Sequence, residues 1–278
     1  MDQSNPKSRL TPEEIEDLEV VVQLTLPDDT KAALIKNFPP EQLQEWDQVH
    51  QGLSMGWLSL HELRSKATGD LLSARLMVVY PARVRTEAVF ILVAWVVTPD
   101  QTNKTDLSAI NQAAQTQSAT SQLDTKAQGK GKGYGSYLRP LSYDISRAQN
   151  PHALGLVAER ESPEVTGDSQ NQSIKRASWM KRIGLLQIEN LAYEIPPHLT
   201  DEEKQDKYVP VAERKKPVKK ADLLLTRFDG QREIDGHQVY SMVERIYADG
   251  YHISPDDPYM VERLKPIDKT AKYRLVGD

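Results

Sequence analysis

The run Ala88-Val89-Phe90-Ile91-Leu92-Val93-Ala94-Trp95-Val96-Val97 constrains the fold of this chain more than any other segment. A membrane-spanning helix needs about 20 apolar residues, so this run is too short to be one. It is apolar on both alternating faces, which is the pattern of a strand covered on both sides of its sheet. A second β-branched-rich run, Leu76-Met77-Val78-Val79-Tyr80, ends at Pro81, as the first is followed by Pro99. Both belong inside a sheet layered with helices.

The flanking sequence supplies those helices. Residues 1–12 read as a disordered lead-in. Thr11-Pro12-Glu13-Glu14 reads as a helix start, with Thr11 as N-cap, Pro12 in the first position and Glu14 completing a capping box. The helix is then expected to carry Ile15, Leu18 and Val21 on one face. A second helix is expected over Asp28 to Asn37, and a third from Phe38-Pro39-Pro40 through Leu43, Trp46 and Val49. Beyond the apolar strand, Gln101 to Gln128 is rich in Gln, Thr, Ser and Ala and lacks Pro, Gly and aromatics. It reads as a low-complexity insertion, either a loop or a weak surface helix.

Further on, the pattern predicts a helix to about Gln149, a strand Leu154 to Glu159 and a helix Ser173 to Ile183 stopped by Gly184. Leu185 to Ile195 reads as one strand closed by Pro196-Pro197. A charged connector over 200–221 contains Arg214-Lys215-Lys216 and Lys219-Lys220. A strand Asp222 to Arg227, a helix Gln238 to Tyr247 and a polar tail over 256–278 complete the chain. The expected fold is α/β, with a mostly antiparallel sheet opened around one parallel crossover. It is read as a single domain over 13–255.

Composition narrows the function. With 278 residues and 38% hydrophobic content the chain can bury a sizeable core. A net charge of −5 argues against a nucleic-acid partner. The absence of cysteine excludes disulfides, zinc-thiolate sites and cysteine nucleophiles. Met1-Asp2-Gln3-Ser4-Asn5 opens a polar N-terminus without the apolar core of a signal peptide, so a soluble, cytoplasmic protein with no membrane partner is expected. The histidines at 50, 61, 152, 198, 237 and 252 are scattered without metal spacing, and no metal is assigned. No Gly-x-Ser-x-Gly elbow is present, and no Gly-Lys-Ser/Thr continuation makes the glycines a nucleoside-triphosphate loop.

Those glycines carry the chemistry. Gly129-Lys130-Gly131-Lys132-Gly133-Tyr134-Gly135-Ser136 alternates glycine with Lys, Lys and Tyr. Without a Cβ the backbone can reach positive φ and turn its N–H groups toward one point. Such a nest, opening onto a helix N-terminus, holds phosphate. A flexible glycine loop without function is the plain alternative.

Lys130-Gly131-Lys132-Gly133-Tyr134-Gly135-Ser136-Tyr137-Leu138 resembles the pyrophosphate loop of the GNAT superfamily of acyl-CoA N-acyltransferases, written (Q/R)-x-x-G-x-(G/A) and often continuing Ser-x-Leu. Lys130 takes the Gln/Arg place; a second register beginning at Gln128 fits the loop letters better and the Ser-x-Leu worse. The order of elements is also similar. Val96-Val97-Thr98-Pro99-Asp100 precedes the loop, and Glu161-Ser162-Pro163-Glu164 follows the next strand. Lys181-Arg182-Ile183-Gly184-Leu185 and Tyr193-Glu194-Ile195-Pro196-Pro197 come after it. The resemblance spans roughly residues 20–250. It implies a GNAT-type sheet splayed at its parallel pair, with acetyl-CoA as acyl donor and an amine as acceptor. Backbone N–H groups of Gly131, Lys132, Gly133, Tyr134, Gly135 and Ser136, with Lys130, would hold the pyrophosphate.

The chain also departs from the family pattern. Val93, Ala94 and Trp95 occupy the places where a mid-strand Glu is customary, and Met180 stands where a Tyr is usual. Replacement bases are Glu159 and Glu161, nearest the expected cleft, with Glu87 and Glu164 further off; for each, a solvated surface carboxylate is the default. Tyr134, Tyr193 and Tyr247 are possible proton donors, with core packing as the alternative. Trp95 is a core residue or lines the acceptor pocket, and the Arg214 to Lys220 cluster is a solvated linker or an anion contact. Three functions stay open: direct acyl transfer from acyl-CoA to an amine, a catalytically silent module that binds CoA or another protein, or a loop that holds another phosphate ligand such as a nucleotide.

Overall fold

The computed structural model describes residues 10–38, 46–81, 89–99, 133–161, 184–197, 199, 203, 208–215 and 217–277. The chain divides into two compact units, Met1–Met77 with Trp95–Ile145, and Val78–Ala94 with Ser146–Asp278.

In the first unit, α1 (Pro12–Glu16) starts with the expected capping box. The Thr11 N–H donates to the Glu14 carboxylate at 2.9 Å and the Glu14 N–H to the Thr11 hydroxyl at 3.2 Å. The helix does not continue through Leu18 and Val21. It ends after one turn, and Leu18–Gln23 is a strand, β1. The side chain of Asp17 explains the break. It accepts from Ser65 Oγ at 2.6 Å and from the Ala67 N–H at 2.8 Å, and its carbonyl accepts from the Lys66 N–H at 2.6 Å. These bonds hold the chain against the end of β2 (Leu58–Ser65), with which β1 pairs antiparallel from Leu18↔Ser65 to Gln23↔Leu60.

The helices α2 (Asp28–Asn37) and α3 (Trp46–Met55) connect β1 to β2; the part of the third expected helix before Trp46 lies outside the described residues. Although β2 contains His61, Glu62 and Arg64, it is buried along most of its length. Glu62 is fully enclosed yet satisfied, accepting from Thr30 Oγ1, from Gln23 Nε2 at 2.7 Å and from Arg64 Nε at 2.7 Å. Arg64 forks onto Asp29 at 2.8 and 2.9 Å, so one ionic network ties β2 to β1 and α2. The strand β3 (Leu71–Tyr80) lies beside β2. The helix α4 (Tyr134–Gln149) runs on through Pro140. Its Tyr134 and Leu138, four apart, pack with Leu10, Leu18, Leu63 and Leu72.

The second unit takes the end of β3, the first part of β4 (Val89–Val97) and the strands that follow. Phe90 and Ile91 are fully buried, as an apolar central strand requires, and Tyr80 stacks on Phe90 at 4.5 Å. β4 pairs in parallel with β5 (Ala153–Glu161), and β5 pairs antiparallel with β8 (Lys219–Arg227). The sheet continues from β8 to β6 (Leu186–Ile188), β10 (Lys272–Val276) and β9 (Glu233–Asp235). β7 (Tyr193–Ile195) pairs with β8 as well. α5 (Gly236–Arg245) ends in a π-turn over Ile246–Gly250, and α6 (Pro258–Leu264) follows.

Three expectations need correction here. Leu185 to Ile195 is not one strand: it forms β6 and β7 on the same edge of β8, separated where Asn190 takes a positive φ of 59° and turns the chain out. The expected connector over 200–221 contains a 3₁₀ turn at Val211–Glu213 and the start of β8. Residues 256–278 are not a polar tail; they form α6 and β10, and β10 is hydrogen-bonded to both β6 and β9. The expected insertion over 101–128 and the expected helix over 173–183 lie outside the described residues. Among the described ladders the sheet is antiparallel except for β4 with β5, which is the α/β arrangement expected.

Candidate functional site

The loop and the carboxylates lie in different units. Lys130, Gly131 and Lys132 lie outside the described residues. Gly133 has φ of 92°, a conformation that an L side chain strains to adopt, and its carbonyl accepts from the Tyr137 N–H at 2.9 Å to begin α4. The next N–H groups, of Tyr134, Gly135 and Ser136, are those that an α-helix leaves without intrahelical acceptors. A Cβ on Gly135 would stand 3.1 Å from Thr98 Oγ1 and 3.7 Å from Ser73 Oγ, so glycine lets this turn lie close against β3 and the residues after β4. The Tyr134 ring is buried in the leucine cluster. There it packs as part of the core. No acidic residue stands in the first turn of α4, so none there offsets the positive dipole end.

In the second unit the parallel ladder between β4 and β5 is short. It shifts register between Val89 and Ile91 and ends at Leu92↔Val157. Beyond Val157, the ladder that carries β5 to Glu161 is the one with β8 on its other edge. A strand, two helices, three strands, a glycine-opened helix and a strand parallel to the one before it follow one another in this chain. This is the element order that the resemblance to the GNAT superfamily implies.

No protein-family model matches the chain, and no curated protein matches it. Among solved structures, the chain is similar to NAA60 of Arabidopsis thaliana in complex with acetyl-CoA. The identity is 9%, with a TM-score of 0.41, over 76% of this chain and 100% of that one. It is similar to spermidine N-acetyltransferase of Vibrio cholerae in complex with CoA and spermine at 8% identity and a TM-score of 0.36, over 77% and 98% of the two chains. It is also similar to ribosomal-protein-S5-alanine acetyltransferase of Vibrio fischeri at 11% identity and a TM-score of 0.35, over 77% and 96%.

Strand alternation on β5 sends Glu159 and Arg160 to opposite faces. Arg160 is neutralised by Asp222 at 2.5 Å, and Gln187 Nε2 donates to the same carboxylate at 2.8 Å. Among the described residues Glu159 has no such cation. Glu159 is half-buried, and each of its carboxyl oxygens accepts from a tyrosine: Oε1 from the Tyr193 hydroxyl, and Oε2 from the Tyr251 hydroxyl at 2.9 Å. Burial pushes the Glu159 carboxyl above the usual carboxylate range, and the two hydroxyl bonds oppose that rise. Burial, followed by the charge of Glu159, raises Tyr193 and Tyr251 well above the phenol range, so both remain protonated donors.

These tyrosines are held from three directions. Tyr193 is on β7, opposite Ala221 of β8. Its ring stacks on Tyr247 at 5.5 Å, and Tyr247 meets Tyr251 edge-on at 6.5 Å. Tyr247 lies in the π-turn and Tyr251 caps it, the Tyr251 N–H reaching back five residues to the Ile246 carbonyl at 3.2 Å. A π-turn changes the direction of the side chains after it. Here it delivers Tyr251 to Glu159. Tyr80, held high by burial and then by the charge of Glu159, completes the surround.

Of the residues read from the sequence, Glu159 and Tyr193 are therefore brought together. Tyr247 donates to the Glu194 carbonyl at 2.8 Å and acts as a packing element beside them. Glu161 pairs through its backbone with Ala221; its side chain, like that of Trp95, lies outside the described residues, as do Glu87, Glu164 and Met180. Arg214 is not solvated: it is buried and donates to the carbonyls of Val209, Pro197 and His252, which makes it a chain anchor. Sequence reading missed Tyr251 and Tyr80. The spacing Tyr247-x-x-x-Tyr251 was the available signal for the first.

Proposed function

We propose that this protein is an acyl-CoA-dependent N-acyltransferase that moves an acetyl group from acetyl-CoA to an amine by direct attack on the thioester. The observation that carries this reading is the crossover itself: β4, a positive-φ glycine opening α4, and a β5 whose parallel ladder to β4 stops at Val157. In this reading the loop from Lys130 to Ser136 holds the pyrophosphate through backbone N–H groups and the helix dipole. The backbone groups of β5 beyond Val157, on the edge away from β8, suit the two amides of pantetheine. Glu159 removes a proton from the acceptor ammonium through water, with Glu161 as the second candidate on the same strand. The high-pKa hydroxyls of Tyr193 and Tyr251 serve as donors to the oxyanion or to the departing thiolate.

A silent CoA-binding module is the second reading. It is favoured by the engagement of both Glu159 oxygens, which satisfies the carboxylate without any substrate.

Calorimetric titration with acetyl-CoA and CoA tests the first step. Wild type should bind and Gly133→Glu should not, because glutamate brings a Cβ at φ of 92° and a negative charge to the helix start. No binding by the wild type overturns both readings. Turnover of any member of a panel of polyamines, amino acids and peptides, lost in Glu159→Gln with CoA binding retained, selects the enzyme. Binding without turnover selects the module.

A further inference from the structure

We propose that the first unit contains a second anion site, in which Arg75 of β3 and Arg139 of α4 bind a compact oxyanion, a phosphate or a carboxylate, apart from the glycine loop. This does not rest on the acyl-transfer reading. Both arginines are buried, with 2% and 8% of their surface exposed. Both guanidinium groups stand over the same ring, that of Tyr143, at 5.8 Å. Among the described residues neither has a carboxylate partner. Five polar atoms are enclosed here without a hydrogen bond: Arg75 Nε and Nη1, Arg139 Nε, the Tyr143 hydroxyl and Ser142 Oγ.

A folded chain rarely leaves one such atom unmet, and a buried charge without a counterion is among the costliest features a core can contain. Here two like charges are enclosed together and repel each other. An anion with at least two oxygens meets all these demands. It cancels the repulsion, and its oxygens accept from the planar forks in the bidentate geometry that guanidinium favours over any other cation. The ring of Tyr143 places the two forks on a common support, and its hydroxyl and that of Ser142 are further donors.

Position separates this site from the loop. Along β3, Ser73 and Arg75 share a face, two residues or about 7 Å apart. Along α4, Gly135, Arg139 and Tyr143 succeed each other at intervals of one turn, about 6 Å. Gly135 lies against Ser73, while Arg139 and Tyr143 belong with Arg75. The arginines thus sit a turn further along α4 than the N–H groups proposed for pyrophosphate.

The test uses the full chain in phosphate-free buffer, with thermal unfolding followed during titration by inorganic phosphate and by acetate, against KCl at matched ionic strength. The wild-type Tm should rise with the logarithm of anion concentration, while KCl has no such effect. Preference for phosphate marks a phosphomonoester-type ligand, preference for acetate a carboxylate, and either supports the site. Gly133→Glu should keep the response. Arg75→Met and Arg139→Lys should lower the apparent affinity at least tenfold, the second because lysine keeps the charge and lacks the fork. In anion-free buffer Arg75→Met should melt no lower than wild type, since an uncompensated buried charge has been removed. A wild-type response no larger than that to KCl overturns the proposal. So does a response lost in Gly133→Glu, which would place the anion at the loop, or a response unchanged in Arg139→Lys.

Discussion

Replacing His61 by leucine isolates a titration that the fold of the first unit imposes. The ring is fully enclosed on β2, with Nε2 bonded to Ser59 Oγ at 2.8 Å and Nδ1 without a partner. Burial, followed by the nearby charge of Arg75, lowers its pKa from 6.5 to about 4. The folded state therefore refuses a proton that the unfolded chain accepts. The stability this neutral ring contributes is present above pH 6.5 and is lost as the pH falls toward 4. Linkage with these two values gives a loss of about 0.2 kcal/mol at pH 7, about 0.8 kcal/mol at pH 6 and about 2 kcal/mol at pH 5. Leucine cannot titrate, so whatever it changes in packing is the same at every pH. Urea unfolding followed by circular dichroism at the three pH values should show the wild type losing about 2 kcal/mol more than His61→Leu between pH 7 and pH 5. A difference between the two proteins that stays constant across this range would falsify the assignment. Phosphate buffer must be avoided, because an anion beside Arg75 would itself raise the histidine pKa.

Gly155 approaches β8 so closely that a Cβ would stand 2.1 Å from the Thr226 carbonyl oxygen, and backbone cannot swing aside as a side chain can. Gly155→Ala should cost about 3 kcal/mol in urea unfolding; a cost below about 1 kcal/mol would contradict the observed β5–β8 register. Tyr251→Phe removes the donor to Glu159 Oε2 and should raise the carboxyl pKa further. If Glu159 is the base, the acidic limb of the kcat/KM profile should move to higher pH in that variant; an unmoved limb would assign the limb to another group.

What could be read from this sequence was what neighbouring residues decide among themselves. Helix α2 begins and ends where the pattern placed it. The capping box at Thr11 and the central strand of β4 are equally local, since the first needs residues three apart and the second an unbroken apolar run. The loop's glycines were legible for the same reason: a positive φ and a close approach are demands that one residue type meets.

The tertiary structure decided the rest. Ile15, Leu18 and Val21 fit a helical face, but Asp17 is claimed by Ser65 and Ala67, some 50 positions on, and the chain leaves the helix there. Glu62 and Arg64 on β2 find their partners Thr30 and Asp29 more than 30 positions back, on α2. Residues 272–276 look like a solvent-facing end until β6 and β9 offer them hydrogen bonds. The candidate base makes the same point. Glutamate at 159 is visible in the chain, but a π-turn 92 positions away and a short strand 34 positions away bring the two hydroxyls that hold it. A carboxyl group's acidity is set by the water it loses and the donors it gains, and folding alone determines both.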